Sequence, residues 1–156
     1  MTGFYSFDTS TLLNGQRDLL PPTTFPAVWE RIEQMIGAGR IRAIDLVREE
    51  LAAREDEVHA WSRAQPDLFV ELTHEVQLAV RSVLAQHQRL IGIGSGRSGA
   101  DPFVIALALV HDGVVVTEEN PSRNLARPKI PDVCQAMGVR QLNLLGFIQE
   151  QGWVFR

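Results

Sequence analysis

Short apolar runs recur along this chain between segments of helical periodicity, and that alternation most restricts what it can fold into. The runs lie at residues 4–7, 41–44, 114–117 and 139–142. They are rich in Val, Ile and aromatic residues, which suit a pleated, half-buried surface. Between them, Val28, Trp29, Ile32, Met35 and Ile36 mark one face of a helix. That helix is expected to be capped by Thr24 and opened by Pro26, with Gly37 and Gly39 as its stop. Pro66 and Asp67 are read as opening another, with Leu68, Leu72, Val76, Val80 and Val83 as its stripe. Residues 103–110 are apolar almost throughout, so their helix is expected to be buried on most sides. Residues 14–24, with Gly15, Pro21 and Pro22, read as loop, and so does the polar stretch 120–129. Strands alternating with helices in this way predict an α/β fold with a central, mostly parallel sheet.

The 156 residues suit one domain, 1–156, with no linker and no internal repeat. A 45% hydrophobic and 22% charged composition is that of a globular protein rather than a disordered one. The single cysteine, Cys134, excludes an intrachain disulfide framework and a zinc site built on cysteines. No apolar run reaches the length of about 18 residues that a membrane helix needs, and the opening residues do not read as a signal peptide. The expected compartment is the cytoplasm. The net charge of −4 argues against a general nucleic-acid coating protein, so any nucleic-acid contact must use a local patch.

Carboxylates stand where strands end and helices begin. Asp8 follows the first apolar run, Asp101 precedes the buried helix, and Glu118 and Glu119 follow the valine run. In a parallel sheet these ends share one edge, so the acids can converge there. Converging carboxylates repel and call for a cation or for raised pKa values, and hard oxygen donors select Mg²⁺ or Mn²⁺. Such ions serve phosphodiester hydrolysis. Each acid also has a structural reading: Asp101 and Asp45 as helix caps, Asp8 as the anchor of a turn with Ser10, and the paired glutamates as solvated loop residues. Glu49 and Glu50 lie on a charged helix, and residues 54–57 read as solvated. Arg123, Arg127 and Lys129 form a basic cluster beside the acidic edge, suited either to a phosphate backbone or to solvent.

Other features carry less. The glycine-rich stretch 92–100 lacks the Gly-Lys-Ser/Thr of a phosphate loop and runs into an acid. The four histidines have no ligand spacing. Cys134 has no evident base and is expected in the core.

Several of these segments resemble PIN-like nuclease domains. Tyr5-Ser6-Phe7-Asp8-Thr9-Ser10 is similar to their first strand with its terminal acid, and Asp101-Pro102 to the start of their acid-led helix. Val115-Val116-Thr117-Glu118-Glu119 and Lys129-Ile130-Pro131-Asp132-Val133-Cys134 resemble segments of the bacterial DUF4411 family. The resemblance covers nearly the whole chain and implies a three-layer PIN-like fold. It implies a ribonuclease whose metal is held by Asp8, Glu50, Asp101 and Glu119, with Glu49 as the competing register for Glu50. Thr117 and Ser10 become supporting hydroxyls, and Asp132 an additional ligand or a loop anchor. Glu119 stands where many PIN nucleases carry Asp, which lengthens that ligand arm. Many small bacterial PIN proteins are the toxin halves of toxin–antitoxin pairs, which implies RNA as substrate, an antitoxin as partner and a possible homodimer. The alternative is a catalytically inactive PIN-like interaction module.

Overall fold

The computed structural model describes residues 3–54, 56–90 and 99–156. Five strands, β1 (Tyr5–Phe7), β2 (Ile41–Ile44), β3 (Phe69–Val70), β4 (Val114–Val116) and β5 (Gln141–Leu142), form one sheet. All pairings are parallel and the order is β3-β2-β1-β4-β5. The first three strands are laid outward from β1, and the chain then returns to the other side of β1 for β4 and β5. The β1/β4 boundary is therefore the topological switch point, where a parallel sheet opens a crevice at its C-terminal edge.

Alternation along β1 sets the layers. The Ser6 hydroxyl donates to the Val104 carbonyl (2.8 Å) in α6 (Asp101–Val110), on one face of the sheet. Tyr5 and Phe7 meet Phe147 of α8 (Leu144–Gln151) edge-on, with ring centroids 4.8 and 5.3 Å apart, on the other face. Against α6 packs α5 (His74–Gln86), which follows the short α4 (Glu57–Arg63) and β3 along the chain. The five apolar residues expected on one face of α2 (Pro26–Gly37) are all buried, and so are seven of the ten residues of α6. The fold is three-layered α/β with an all-parallel sheet, as the sequence and its resemblance imply. At Gly113, before β4, a Cβ would lie 2.5 Å from the Phe4 carbonyl oxygen. Only glycine lets these two backbones approach so closely.

Several expected boundaries move. Residues 14–19 of the expected loop 14–24 are helical: Asp8 caps α1 (Thr9–Asn14), which continues as a π-helical turn over Gly15–Leu19. Gly15 permits this because a Cβ there would meet Leu144 at 2.8 Å and Trp29 at 3.2 Å. Thr24 does not cap α2; Phe25 holds that position without a side-chain hydrogen bond. Asp45 is the first residue of α3 (Asp45–Ala52) rather than its cap, and its carboxylate pairs with Arg48.

The long stripe from Leu68 is broken. Pro66–Leu68 is a single 3₁₀ turn, and Phe69 and Val70 pair with Ala43 and Ile44 as β3. Helix α5 starts only at His74, where the Thr73 hydroxyl accepts from the Val76 N–H (3.2 Å). Sheet pairing and a good cap override helical periodicity there. Most of the glycine-rich stretch, residues 92–98, lies outside the described residues.

Candidate active site

Asp8 is built into the switch point from three sides. Its Oδ1 accepts the Thr9 N–H (2.8 Å), capping α1. Its Oδ2 accepts the Ser10 hydroxyl (2.7 Å) and the Thr117 hydroxyl (2.9 Å). These two hydroxyls in turn accept the backbone N–H groups of Glu118 (3.0 Å) and Glu119 (3.1 Å). The supporting roles implied for Ser10 and Thr117 thus have a physical form: they join the end of β1 to the chain leaving β4. Burial pushes the Asp8 carboxyl up to about 6; the nearby charge of Glu119 and, less, of Glu50 adds to this, while the two hydroxyls oppose it.

Asp8, Glu50, Asp101 and Glu119 line one cleft of about 480 Å³, together with Ser10, Asn14 and Arg54. They come from the end of β1, from α3, from the first turn of α6 and from the segment after β4. Asp101 is 4% exposed and is not the helix cap; Ala100 occupies that position. The Glu50 carboxylate accepts the Thr9 hydroxyl, and Glu119 Oε1 accepts the Ile130 N–H (3.1 Å). Neighbouring acids separate clearly: Glu49 is exposed to solvent while Glu50 faces the cleft. Glu118 Oε2 accepts the Leu144 N–H (2.6 Å) at the start of α8, a structural task.

The donor set fits a hard divalent cation, since four carboxylates of like charge share a cleft. Among the described residues, however, no three His, Cys, Asp or Glu side chains are grouped tightly enough to hold an ion. The carboxylates of Glu50 and Glu119 are turned to protein donors instead.

Asp132 stands apart from this cleft. It is the third residue of α7 (Ile130–Met137), and both its oxygens are taken. Oδ2 accepts from the Ser122 N–H and hydroxyl and from the Lys129 N–H, and Oδ1 from the Arg123 N–H, all at 2.8–2.9 Å. Burial raises this carboxyl, but the four donors outweigh it and hold it below the usual carboxylate range. The geometry is that of a loop anchor. Asp132→Ala is expected to strip three backbone donors of their acceptor and cost about 2 kcal/mol, measured as a lower urea midpoint.

Arg123, Arg127 and Lys129 are exposed on that anchored loop, and none of them lines the cleft. Among the described residues, the basic side chain that does line it is Arg54, which the sequence reading assigned to solvent. The signal available was its position just beyond a helix carrying a candidate ligand, but nothing in one sequence shows that this turn faces the crevice. Cys134 is fully buried beneath the site, and burial, with the charges of Asp8 and Glu119, pushes its thiol up to about 12. It is a core residue, not a nucleophile.

No curated protein sequence matches the chain significantly. Among solved structures it is similar to VapBC-1 from nontypeable Haemophilus influenzae, with a TM-score of 0.55 and 14% identity over 90% of this chain and 97% of that one. It is similar to VapBC2 from Rickettsia felis bound to a DNA fragment from their promoter, with a TM-score of 0.55 and 10% identity over 90% and 98%. A third likeness is to DNA-bound VapBC from Salmonella typhimurium, with a TM-score of 0.54 and 15% identity over 90% and 98%. At such identities the likeness speaks for the fold, which is PIN-like. The family model of the domain of unknown function DUF4411 matches residues 5–155, so the chain belongs to the DUF4411 family.

Proposed function

We propose that this protein is a metal-dependent endoribonuclease of PIN type and the toxin half of a toxin–antitoxin pair. The observation that carries this reading is the meeting of Asp8, Glu50, Asp101 and Glu119 in one cleft at the β1/β4 switch point. These four residues would hold Mg²⁺ or Mn²⁺. The ion would supply Lewis acidity and charge neutralisation for hydrolysis of a phosphodiester.

The chain's own residues prepare the cleft. Ser10 and Thr117 fix the Asp8 carboxylate through its Oδ2. Helix α6 presents Asp101 from its first turn. The loop tied by Asp132 carries Arg123, Arg127 and Lys129, which would hold more distant phosphates of the RNA backbone. The fold shared with VapBC proteins supports an antitoxin as partner. That partner would cover the acidic edge or place an arginine in it. A homodimer and a cytoplasmic location belong to the same reading.

The rival is an inactive PIN-like interaction module, favoured by the absence of a tight three-ligand cluster among the described residues. One experiment separates the two. Purified protein is incubated with single-stranded RNA in Mn²⁺, Mg²⁺ or chelator, and its melting temperature is followed in the same buffers. Metal-dependent cutting with a metal-dependent rise in Tm is expected. Neither cutting nor a shift would leave the interaction module standing.

A further inference from the structure

Among the described residues, Arg54 is the one basic side chain that lines the four-acid cleft. It follows α3 directly, and its N–H donates to the Leu51 carbonyl (3.2 Å) as the helix unwinds. Glu50 and Arg54 stand four apart, a spacing that makes an ion pair on a continuing helix. Here the helix ends at Ala52, and the Glu50 carboxylate accepts the Thr9 hydroxyl. Arg54 is exposed, and it has no ion pair with any described residue. An exposed arginine beside four carboxylates, in ion pair with none of those described, has its guanidinium open to a ligand in the cleft.

We propose that Arg54 is the substrate-phosphate contact of this cleft, gripping an RNA phosphate beside the four acids. This rests on the nuclease reading above. Three points argue for it. The acids create a negative field that an RNA phosphate must enter, so a cation at the cleft wall lowers the barrier to approach. The guanidinium offers a planar fork matched to two phosphate oxygens. The exposed loop cations Arg123 and Lys129 lie away from the cleft lining and cannot substitute for it there.

The test compares Arg54→Ala, Arg54→Gln and Arg54→Lys with the wild type. Steady-state cleavage of a fluorescent single-stranded RNA is measured in Mn²⁺ across a KCl series, with Mn²⁺ thermal titrations alongside. For Arg54→Ala and Arg54→Gln, KM is expected to rise about 10-fold or more. The slope of log(kcat/KM) against log[KCl] should flatten by about 0.7, the share of one phosphate contact on a single strand. The Mn²⁺ midpoint should not move. Arg54→Lys should keep the salt slope and recover only part of the KM, because an ammonium lacks the fork.

Cleavage with unchanged KM and slope in Arg54→Ala overturns the proposal and leaves the nuclease reading intact. A tighter Mn²⁺ midpoint with unchanged RNA kinetics also overturns it, and marks Arg54 as a counter-charge to the acids. No cleavage by the wild type in Mn²⁺ or Mg²⁺ defeats the nuclease reading itself, and the role of Arg54 falls with it.

Discussion

Asp101→Asn is expected to lower metal-dependent RNA cleavage by at least about 100-fold while the protein still folds. The argument begins with its place: the first residue of α6, 4% exposed, on the wall of the cleft. Asn keeps the shape of Asp but removes its charge. A hard cation loses an anionic donor, and a transition state that gathers charge on phosphate oxygens loses part of its compensation. A loss of about 3 kcal/mol corresponds to about 100-fold in rate. The cost to the fold is small by comparison. Ala100, not Asp101, holds the cap position, and an acid in the first turn of a helix contributes only about 0.3–1 kcal/mol through the dipole. The check is a single-turnover cleavage rate beside a chemical denaturation curve. Wild-type cutting by this variant would remove Asp101 from the site; lost cutting together with a collapsed fold would make its role structural.

Asp8→Asn is expected to stabilise the metal-free protein at pH 8 and to abolish its response to Mn²⁺. Burial and the charge of Glu119 raise the folded Asp8 carboxyl from 3.8 to about 6. The folded state therefore binds the Asp8 proton more tightly than the unfolded state does. The contribution of this group is fully present below about pH 4, is lost as pH rises through about 6, and stays lost above that. The rise from 3.8 to about 6 corresponds to about 3 kcal/mol. Asn carries no charge to desolvate, and its Oδ1 can still accept the Thr9 N–H while its amide donates to the Ser10 and Thr117 hydroxyls. In chelator, then, the difference in stability between variant and wild type should grow from pH 4 to pH 7. Mn²⁺ at about one thousand times Kd and pH 8 should reverse the order, because only the wild type gains stability by linkage, about 4.1 kcal/mol against a deficit of about 3 kcal/mol. Denaturation curves at pH 4.5, 6 and 8, with and without Mn²⁺, provide the check. A difference independent of pH would mean that burial does not strain the Asp8 carboxylate.

Both predictions depend on geometry that the sequence discloses unevenly. Local interactions were legible. The five-residue face of α2, the valine strand and the apolar α6 follow from periodicity and breakers, because neighbours in sequence decide them. The acids at element ends are another such case, since a strand or helix terminus is a local event. Failures fall where distant groups compete. The π-helical turn at 15–19 begins at Gly15, packed closely against the distant Leu144 and Trp29, and β3 exists because β2 offers Phe69 and Val70 a pairing edge.

By itself, then, the sequence determined an α/β chain with short strands, one apolar helix and carboxylates at the edges of its elements, for each of these is settled within a few residues. The tertiary structure alone decided the strand order that sets β1 beside β4 and so makes one cleft of Asp8, Glu50, Asp101 and Glu119. It alone turned Glu118 onto the start of α8 and Asp132 onto its own loop, and brought Arg54 to the cleft. Those choices depend on which backbone N–H groups and which opposing charges lie nearby in space, and proximity across the chain is created only when the layers pack.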